Sequence, residues 1–156
     1  MEALSYQSNL KLAVNELKRI LTSESESLSK RFRSLFSLKH IAIKHSFLPA
    51  IDAMAAAFES PSALLKHEVA YCLGQTKNIM AVPYLRTMLI NRDEDPMCRH
   101  EAAEAMGAIG DVNCLDILKK FRDAEDEVPE VKETCELAVD RITWEHKEAG
   151  KEILRS

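Results

Sequence analysis

The sequence is poor in the residues that interrupt or bend helices. Its 156 residues include only 4 glycines and 5 prolines, and aromatic residues make up 6% of the chain. Strict alternation of apolar and polar residues, the pattern of a half-buried strand, is also missing. Apolar residues instead recur at i, i+3 and i+4, for example at Leu65, Val69 and Cys72. Composition and spacing together predict an all-α protein.

The chain also lacks an excess of positive charge and a long apolar run. Lysine and arginine number 21 against 25 aspartates and glutamates, for a formal net charge of -4. This balance argues against nucleic acid and against an anionic membrane as partners. No segment approaches the run of about 18 apolar residues that a membrane-spanning helix needs. The amphipathic N-terminus has no secretory-signal pattern.

Closely spaced cysteine pairs are absent as well. The four cysteines are separated by 26, 16 and 21 residues and fall within apolar helical patterns; they are Cys72, Cys98, Cys114 and Cys135. This spacing fits neither a disulfide framework nor a thiolate zinc site. We expect small, reduced core residues of a cytoplasmic protein.

An internal repeat organises most of the chain. Residues 64–74 (LLKHEVAYCLG) match residues 97–107 (MCRHEAAEAMG) at an offset of 33 residues, and the helical pattern after each segment matches too. The repeating unit is therefore two helices long. Related copies begin near residue 28 and near Val128. About four such hairpins, with an extra leading helix over residues 5–21, predict an α-α solenoid of the HEAT or armadillo kind.

The repeats also set the expected domain limits. A repeat domain should occupy residues 1–147, and residues 148–156 should form a linker or C-terminal tail whose charges are solvated. Three prolines, Pro61, Pro96 and Pro129, are expected at or near the first position of a helix.

Two charged clusters are expected on the surface. The acidic run 123–127 (DAEDE) should be a loop between repeats, and a basic cluster should be a solvated helix face. The members of the basic cluster are Lys30, Arg31, Arg33, Lys39 and Lys44.

Two His-Glu pairs recur at the repeat offset. His67 and Glu68 align with His100 and Glu101, and a helical wheel places both pairs away from the apolar face of their helices. The first and fourth copies have other residues at these positions: Arg33, Ser34, Glu133 and Thr134. The pairs are thus confined to two adjacent repeats, which is typical of a site and not of a framework residue.

The four side chains suit metal coordination. Equivalent helices of adjacent repeats lie about 10 Å apart, so the two pairs line one surface and can converge. Imidazole nitrogens and carboxylate oxygens without thiolates suit iron, manganese or zinc and leave positions open for other ligands. The competing interpretation is a scaffold whose His-Glu pairs are ordinary solvated residues.

The same segments carry a resemblance to a known family. Residues 62–75 (SALLKHEVAYCLGQ) and 96–111 (PMCRHEAAEAMGAIGD) strongly resemble deoxyhypusine hydroxylase. The resemblance continues upstream at RFRSLFSL (31–38) and downstream at ETCELAVDRITW (133–144), and it covers residues 28–147 without large gaps.

The resemblance implies a HEAT-repeat, non-haem di-iron monooxygenase of the cytoplasm. Such an oxidoreductase uses Fe²⁺ and dioxygen to hydroxylate the deoxyhypusine side chain of eukaryotic translation initiation factor 5A, which completes hypusine. Carried over by motif, the metal-site residues are His67, Glu68, His100 and Glu101, and the two carboxylates, Glu68 and Glu101, are also the catalytic candidates.

The chain departs from the family pattern in one respect. Members of the family have two halves and four His-Glu motifs, whereas this sequence has two motifs. It is therefore either one half of a longer enzyme or a half-length chain that completes its site as a homodimer. An isolated half should bind iron weakly and lack activity. The alternative function is a non-catalytic HEAT-repeat adaptor that binds a partner on its concave face.

Overall fold

The computed structural model describes residues 2–156, which form helices and turns with no strand in that range. Met1, the first residue of the expected 1–147 domain, lies outside the described residues. The α-helices are α1 (Glu2–Thr22), α2 (Leu28–Lys44), α3 (Leu48–Ala55), α4 (Ala63–Gln75), α5 (Val82–Ile90), α6 (Pro96–Ile109), α7 (Leu115–Asp123) and α8 (Pro129–Arg155). The predicted all-α class is confirmed.

The helices form two layers of consecutive pairs. Helices α2, α4, α6 and α8 pack side by side in one row. Helices α3, α5 and α7, which follow the first three of them in the chain, form the second layer, with α5 packed mainly on α6 and α7 mainly on α8. The leading helix α1 packs on α2 and α3 through Val14 and Leu21. This arrangement confirms the predicted repeat solenoid and puts both His-Glu pairs on neighbouring helices of one row.

Polar caps begin most helices of that row. Ser27 and Ser62 accept hydrogen bonds from the third amide of α2 and α4, and Asp95 accepts one from the amide of Met97 in α6. Pro96 and Pro129 begin α6 and α8 as expected. Pro61 was expected near the start of α4, but the helix begins two residues later because Ser62 provides the cap.

A continuous apolar core lies between the layers. Fully buried side chains come from every pair, among them Leu35, Leu38, Leu65, Leu73, Leu85, Leu89, Met106, Leu118 and Ile142. The four cysteines are free and buried in the same core, as predicted.

Helix α8 is the longest element, with 27 residues. Its first half packs against α6 and α7, and residues 148–156 continue the same helix as far as Arg155. The charges in this last segment are solvated, and Lys151 pairs with Glu148 at 2.6 Å. The limit at residue 147 therefore falls inside one helix, and as a domain boundary it stays a prediction.

Among the described helices, none combines the length and the apolar character required to cross a bilayer.

Candidate metal centre

Three of the four predicted site residues meet between α4 and α6. His67 of α4 places Nε2 3.0 Å from Oε2 of Glu101 on α6, and Nε2 of His100 lies 3.7 Å from the same oxygen. One nitrogen from each histidine and one oxygen of Glu101 all lie within 4.8 Å of one another. The convergence expected from the repeat is thus present in the folded chain.

A glycine in each helix makes this convergence possible. A Cβ atom on Gly74 of α4 would lie 2.8 Å from Cβ of Ala105 on α6, closer than side chains tolerate. Gly107 of α6 faces Ala138 of α8 in the same way, at 3.0 Å. Glycine and alanine occupy equivalent positions of successive repeats, so the row helices approach each other closely at the same level. This short separation lets a histidine on one helix reach the next.

Glu101 is more buried than its place on the helical wheel predicted. Only 6% of the residue is exposed, because α4 packs closely on α6 and Nε2 of His67 contacts the carboxylate. Burial raises the pKa of Glu101, while His67 and then His100 act in the opposite direction. An ionised carboxylate that is buried in this way is stabilised by a nearby positive charge, and a metal cation would provide one.

His100 also has partners on its other side. Its Nδ1 lies 2.5 Å from Oγ1 of Thr134 on α8, and that hydroxyl donates to the carbonyl oxygen of Glu130 at 2.7 Å. Glu104, one turn further along α6, places a carboxylate oxygen 3.7 Å from Nε2 of His100. Thr134 was noted in the sequence only as a departure from the His-Glu pattern. The feature of the sequence that could have identified Thr134 is its spacing from His100. The two residues are 34 positions apart, as are His67 and Glu101.

Glu68 lies beside the cluster and outside it. The residue is half-buried on α4, and its charge acts on Glu101 by raising the pKa of that carboxyl, but the cluster of converging ligand atoms does not include it. The role of Glu68 as a fourth ligand therefore stays a prediction.

Two shallow grooves open beside these residues. One of about 170 Å³ runs between α4 and α6 and is lined by Tyr71, Glu101 and Glu104. The other, of about 180 Å³, lies between α6 and α8 and includes His100, Thr134 and the exposed Leu137. Two apolar side chains on the same helices, Leu64 of α4 and Met97 of α6, are 63% and 49% exposed.

The donor set fits a metal ion of the iron, manganese or zinc type. Two imidazole nitrogens and one carboxylate oxygen converge, and the grooves leave room for further ligands. Thiolates are not available to compete, because burial raises the pKa of Cys72 to about 12 and that of Cys98 to about 11. The Cys98 thiol instead donates to the carbonyl oxygen of Ala63 at 3.2 Å.

A second set of charged residues joins α4 and α6 to the loops that precede the next helix of the row. Arg99, next to His100 in the chain, forms a bidentate pair with Glu127 at 2.7 Å for both bonds, and its Nε donates to the carbonyl of Leu89. Lys66, next to His67, pairs with Glu94 at 2.5 Å. These ion pairs and hydrogen bonds hold in place α4 and α6, the helices that carry the two histidines.

The charge clusters of the sequence therefore contain buried members. Arg31 was expected on a solvated face but is 3% exposed, because it pairs with Glu24 and donates to the carbonyl of Leu21. The acidic run 123–127 lies mainly in the predicted loop, since α7 ends at Asp123. Its Glu127, however, is buried under Arg99, which holds the pKa of that carboxyl below its usual value.

The geometry agrees with comparisons to known proteins. A family model described as HEAT repeats matches residues 51–139. A protein named deoxyhypusine hydroxylase from Aspergillus clavatus is 58% identical over 139 residues, which cover 86% of this chain and 42% of that relative. One with the same name from Chaetomium globosum is 60% identical over 140 residues, covering 86% of this chain and 41% of the relative.

A solved structure shows the same likeness. The structure of human deoxyhypusine hydroxylase in complex with glycerol matches with a TM-score of 0.85 and 42% sequence identity, covering 91% of this chain and 47% of that chain. The chain thus spans less than half the length of the relatives it matches. The resemblance found in the sequence is confirmed, and the chain belongs to the HEAT-repeat family.

Proposed function

We propose that this chain forms one half of a deoxyhypusine hydroxylase and holds iron between α4 and α6. The observation that carries the proposal is the convergence of His67, His100 and Glu101 within 4.8 Å in a chain that is 58% identical to proteins of that name. The reaction is the hydroxylation of a deoxyhypusine side chain with dioxygen.

Each residue of the cluster has a distinct part in holding the ion. The two histidines provide neutral nitrogen donors, and the buried Glu101 provides the negative charge that balances a divalent cation. Glu68 is the fourth ligand of the proposal, reached by a rotation of its side chain. Bound iron supplies the activation of dioxygen that the hydroxylation requires.

The surroundings suit a long cationic substrate arm. Glu104 has 58% of its side chain exposed at the edge of the groove between α4 and α6, where a carboxylate can hold an ammonium group. Tyr71 forms the opposite wall and contacts Gln75 through its hydroxyl. In this proposal the arm belongs to translation initiation factor 5A, and Leu64 and Met97 help to exclude water from the reacting carbon.

The site needs a second set of ligands. Three converging donors from one interface are too few for a di-iron centre, so the remaining ligands come from the second half of the enzyme or from a second copy of this chain. The enzyme of the proposal works in the cytoplasm, with thiols kept reduced.

The deciding experiment measures iron per chain together with mass in solution. The protein is purified without oxygen, as wild type and as the double variant His67→Ala with His100→Ala, and His146→Ala serves as the control because His146 is exposed on α8. We expect about one iron per chain in a complete assembly, its loss in the double variant and no change in the control.

The result separates the two functions considered for this sequence. Iron that depends on both histidines, followed by hydroxylation once the second ligand set is added, supports the enzyme. A wild-type protein that excludes iron in monomer, dimer and complemented forms contradicts the proposal and leaves the adaptor function.

A further inference from the structure

Thr134 sits where the repeat would otherwise place another glutamate. His67 contacts Glu101 and His100 contacts Thr134, and each pair is separated by 34 residues. The two contacts use different ring atoms: His67 presents Nε2 to its partner, whereas His100 presents Nδ1. His100 is therefore turned differently from His67.

The proton of the threonine hydroxyl determines the direction of the second contact. Oγ1 of Thr134 lies 2.7 Å from the carbonyl oxygen of Glu130 and 2.5 Å from Nδ1 of His100. A carbonyl oxygen only accepts, so the single hydroxyl proton of Thr134 is committed to Glu130. The contact with His100 then requires Nδ1 to donate its hydrogen to the threonine oxygen.

We infer that Thr134 is a positioning residue that holds neutral His100 as the Nδ1–H tautomer and aims its Nε2 at the metal position. The unprotonated Nε2 faces the oxygens of Glu101 and Glu104, each at 3.7 Å. A ring with Nδ1 donating has its Nε2 lone pair free for a cation. The tautomer follows from the contacts alone, whereas its effect on metal binding rests on the proposed function.

The position of Thr134 protects this contact. The residue is 8% exposed, between α6 and α8, so water has little access to replace it as the acceptor for Nδ1. A glutamate there would offer a third carboxylate to the row. Threonine offers an acceptor without a charge, and it thereby ends the row of metal ligands at His100.

The test reads the tautomer directly in the metal-free chain. Nitrogen-15 labelled histidines are observed by long-range proton–nitrogen NMR at about pH 8, above the ordinary pKa of histidine. Thr134→Val keeps the shape and removes the acceptor, and Thr134→Ser keeps the hydroxyl. Thr87→Val is the matched control, because Thr87 also donates to the carbonyl four residues earlier and lies away from the histidines.

We expect the Nδ1–H form of His100 in the wild type, in Thr134→Ser and in Thr87→Val, and its loss in Thr134→Val. Titration with Fe²⁺ under argon gives the second readout. Loss of a contact that orients a ligand weakens metal binding by about 10-fold or more, so only Thr134→Val should show this decrease.

The outcomes are distinct. An unchanged tautomer in Thr134→Val, or an Nε2–H form in the wild type, overturns the inference whatever the protein binds. A serine variant that weakens Fe²⁺ binding as much as valine also overturns it, since the hydroxyl would then be irrelevant. The expected tautomers in a wild type that binds no iron as monomer, as dimer or when complemented with the second ligand set would support the orientation by Thr134 and contradict the proposed function.

Discussion

The α4–α6 and α6–α8 interfaces have the same construction and different chemistry. In each, a glycine faces an alanine across two row helices, and a histidine reaches the residue 34 positions later. In the α4–α6 interface that residue is the buried Glu101, and in the α6–α8 interface it is Thr134. One side chain at a fixed place in the repeat thus decides whether an interface gathers metal ligands or orients one of them.

The largest difference between the interfaces should appear in metal binding. Glu101→Ala removes the carboxylate on which both histidines converge, and we expect binding of Fe²⁺ to fall below detection. Glu68→Ala, at the equivalent position of α4, removes a carboxylate outside the converging cluster and should weaken binding less. Anaerobic titration measures both. Equal losses would show that Glu68 binds the ion as strongly as Glu101 does.

The ion pairs of Lys66 and Arg99 should distinguish the two interfaces by their contribution to stability. Arg99→Ala leaves Glu127 buried without its bidentate partner and with only Arg92, at 3.9 Å, as a cation nearby. We expect a loss of about 3 kcal/mol in the free energy of unfolding, the low end of the range for a broken buried pair. Lys66→Ala should cost less, because Lys66 and Glu94 are more accessible to water.

Urea denaturation measures these losses, with Arg122→Ala as the control. The partner of Arg122 is the exposed Asp123, so this variant should unfold like the wild type. A loss for Arg122→Ala that equals the loss for Arg99→Ala would contradict the assignment of a special role to the buried pair.

The glycines allow the two helix separations to be changed one at a time. Gly74→Ala places a methyl group 2.8 Å from Ala105 and should destabilise the protein by about 2–3 kcal/mol, with weaker metal binding as α4 moves away from α6. Gly107→Ala, at 3.0 Å from Ala138, should cost somewhat less and affect the His100–Thr134 contact.

Gly150 provides the matched control for both substitutions. It lies within α8 with nothing within 4 Å of an added methyl group, so Gly150→Ala should stabilise the helix by about 0.5–1 kcal/mol. Thermal unfolding ranks the three variants. A stabilising Gly74→Ala would mean that the row helices have room to separate without cost.

The two buried glutamates should respond to pH in opposite directions. Arg99 lowers the pKa of Glu127 in the folded state, so its contribution to stability is complete above the unfolded value and is lost as pH falls through the folded value. Burial raises the pKa of Glu101, so its ionisation makes the metal-free protein less stable as pH rises through the raised value.

Substitution of each glutamate by glutamine measures how its ionisation contributes to the free energy of unfolding. At pH 7 we expect Glu127→Gln to cost about 1.5 kcal/mol and Glu101→Gln to stabilise the metal-free chain by a smaller amount. The Glu101 difference should vanish as the pH falls through the raised pKa of Glu101 to the ordinary glutamate value of about 4.3, whereas the Glu127 difference should shrink only as the pH falls below that value. Denaturation curves of metal-free protein across this range give the answer, and differences that do not change with pH would contradict it.

Much of the architecture could be predicted from the sequence, because the offset of 33 residues identifies equivalent helices without any structure. The same offset put His67 and His100 on one surface. The burial of Glu101 was missed, since a helical wheel treats each helix alone and contains no neighbour. Arg31 and Glu127 were expected to be exposed to water for a related reason. A cluster of like charges in the sequence suggests a solvated surface, and the oppositely charged side chain that buries one member is identified only in the folded chain.

Thr134 shows a further limit of the repeat pattern. The offset of 33 residues relates equivalent positions, whereas the contacts of His67 and His100 connect positions 34 apart and the glycine–alanine contacts across the same interfaces have another spacing. Which positions meet depends on how one helix lies against the next, and only the folded chain shows it.

The close packing of α4 on α6 has a consequence for motion. Stacked repeats deform by small rotations at each interface, and the rotations add up along the row, so a site built from distant repeats would change its dimensions as the whole molecule flexes. His67, His100 and Glu101 span a single interface, and Gly74 and Ala105 hold that interface at backbone contact. The distances among the three donors are therefore insulated from bending elsewhere, and the repeats on either side are free to adjust to a partner.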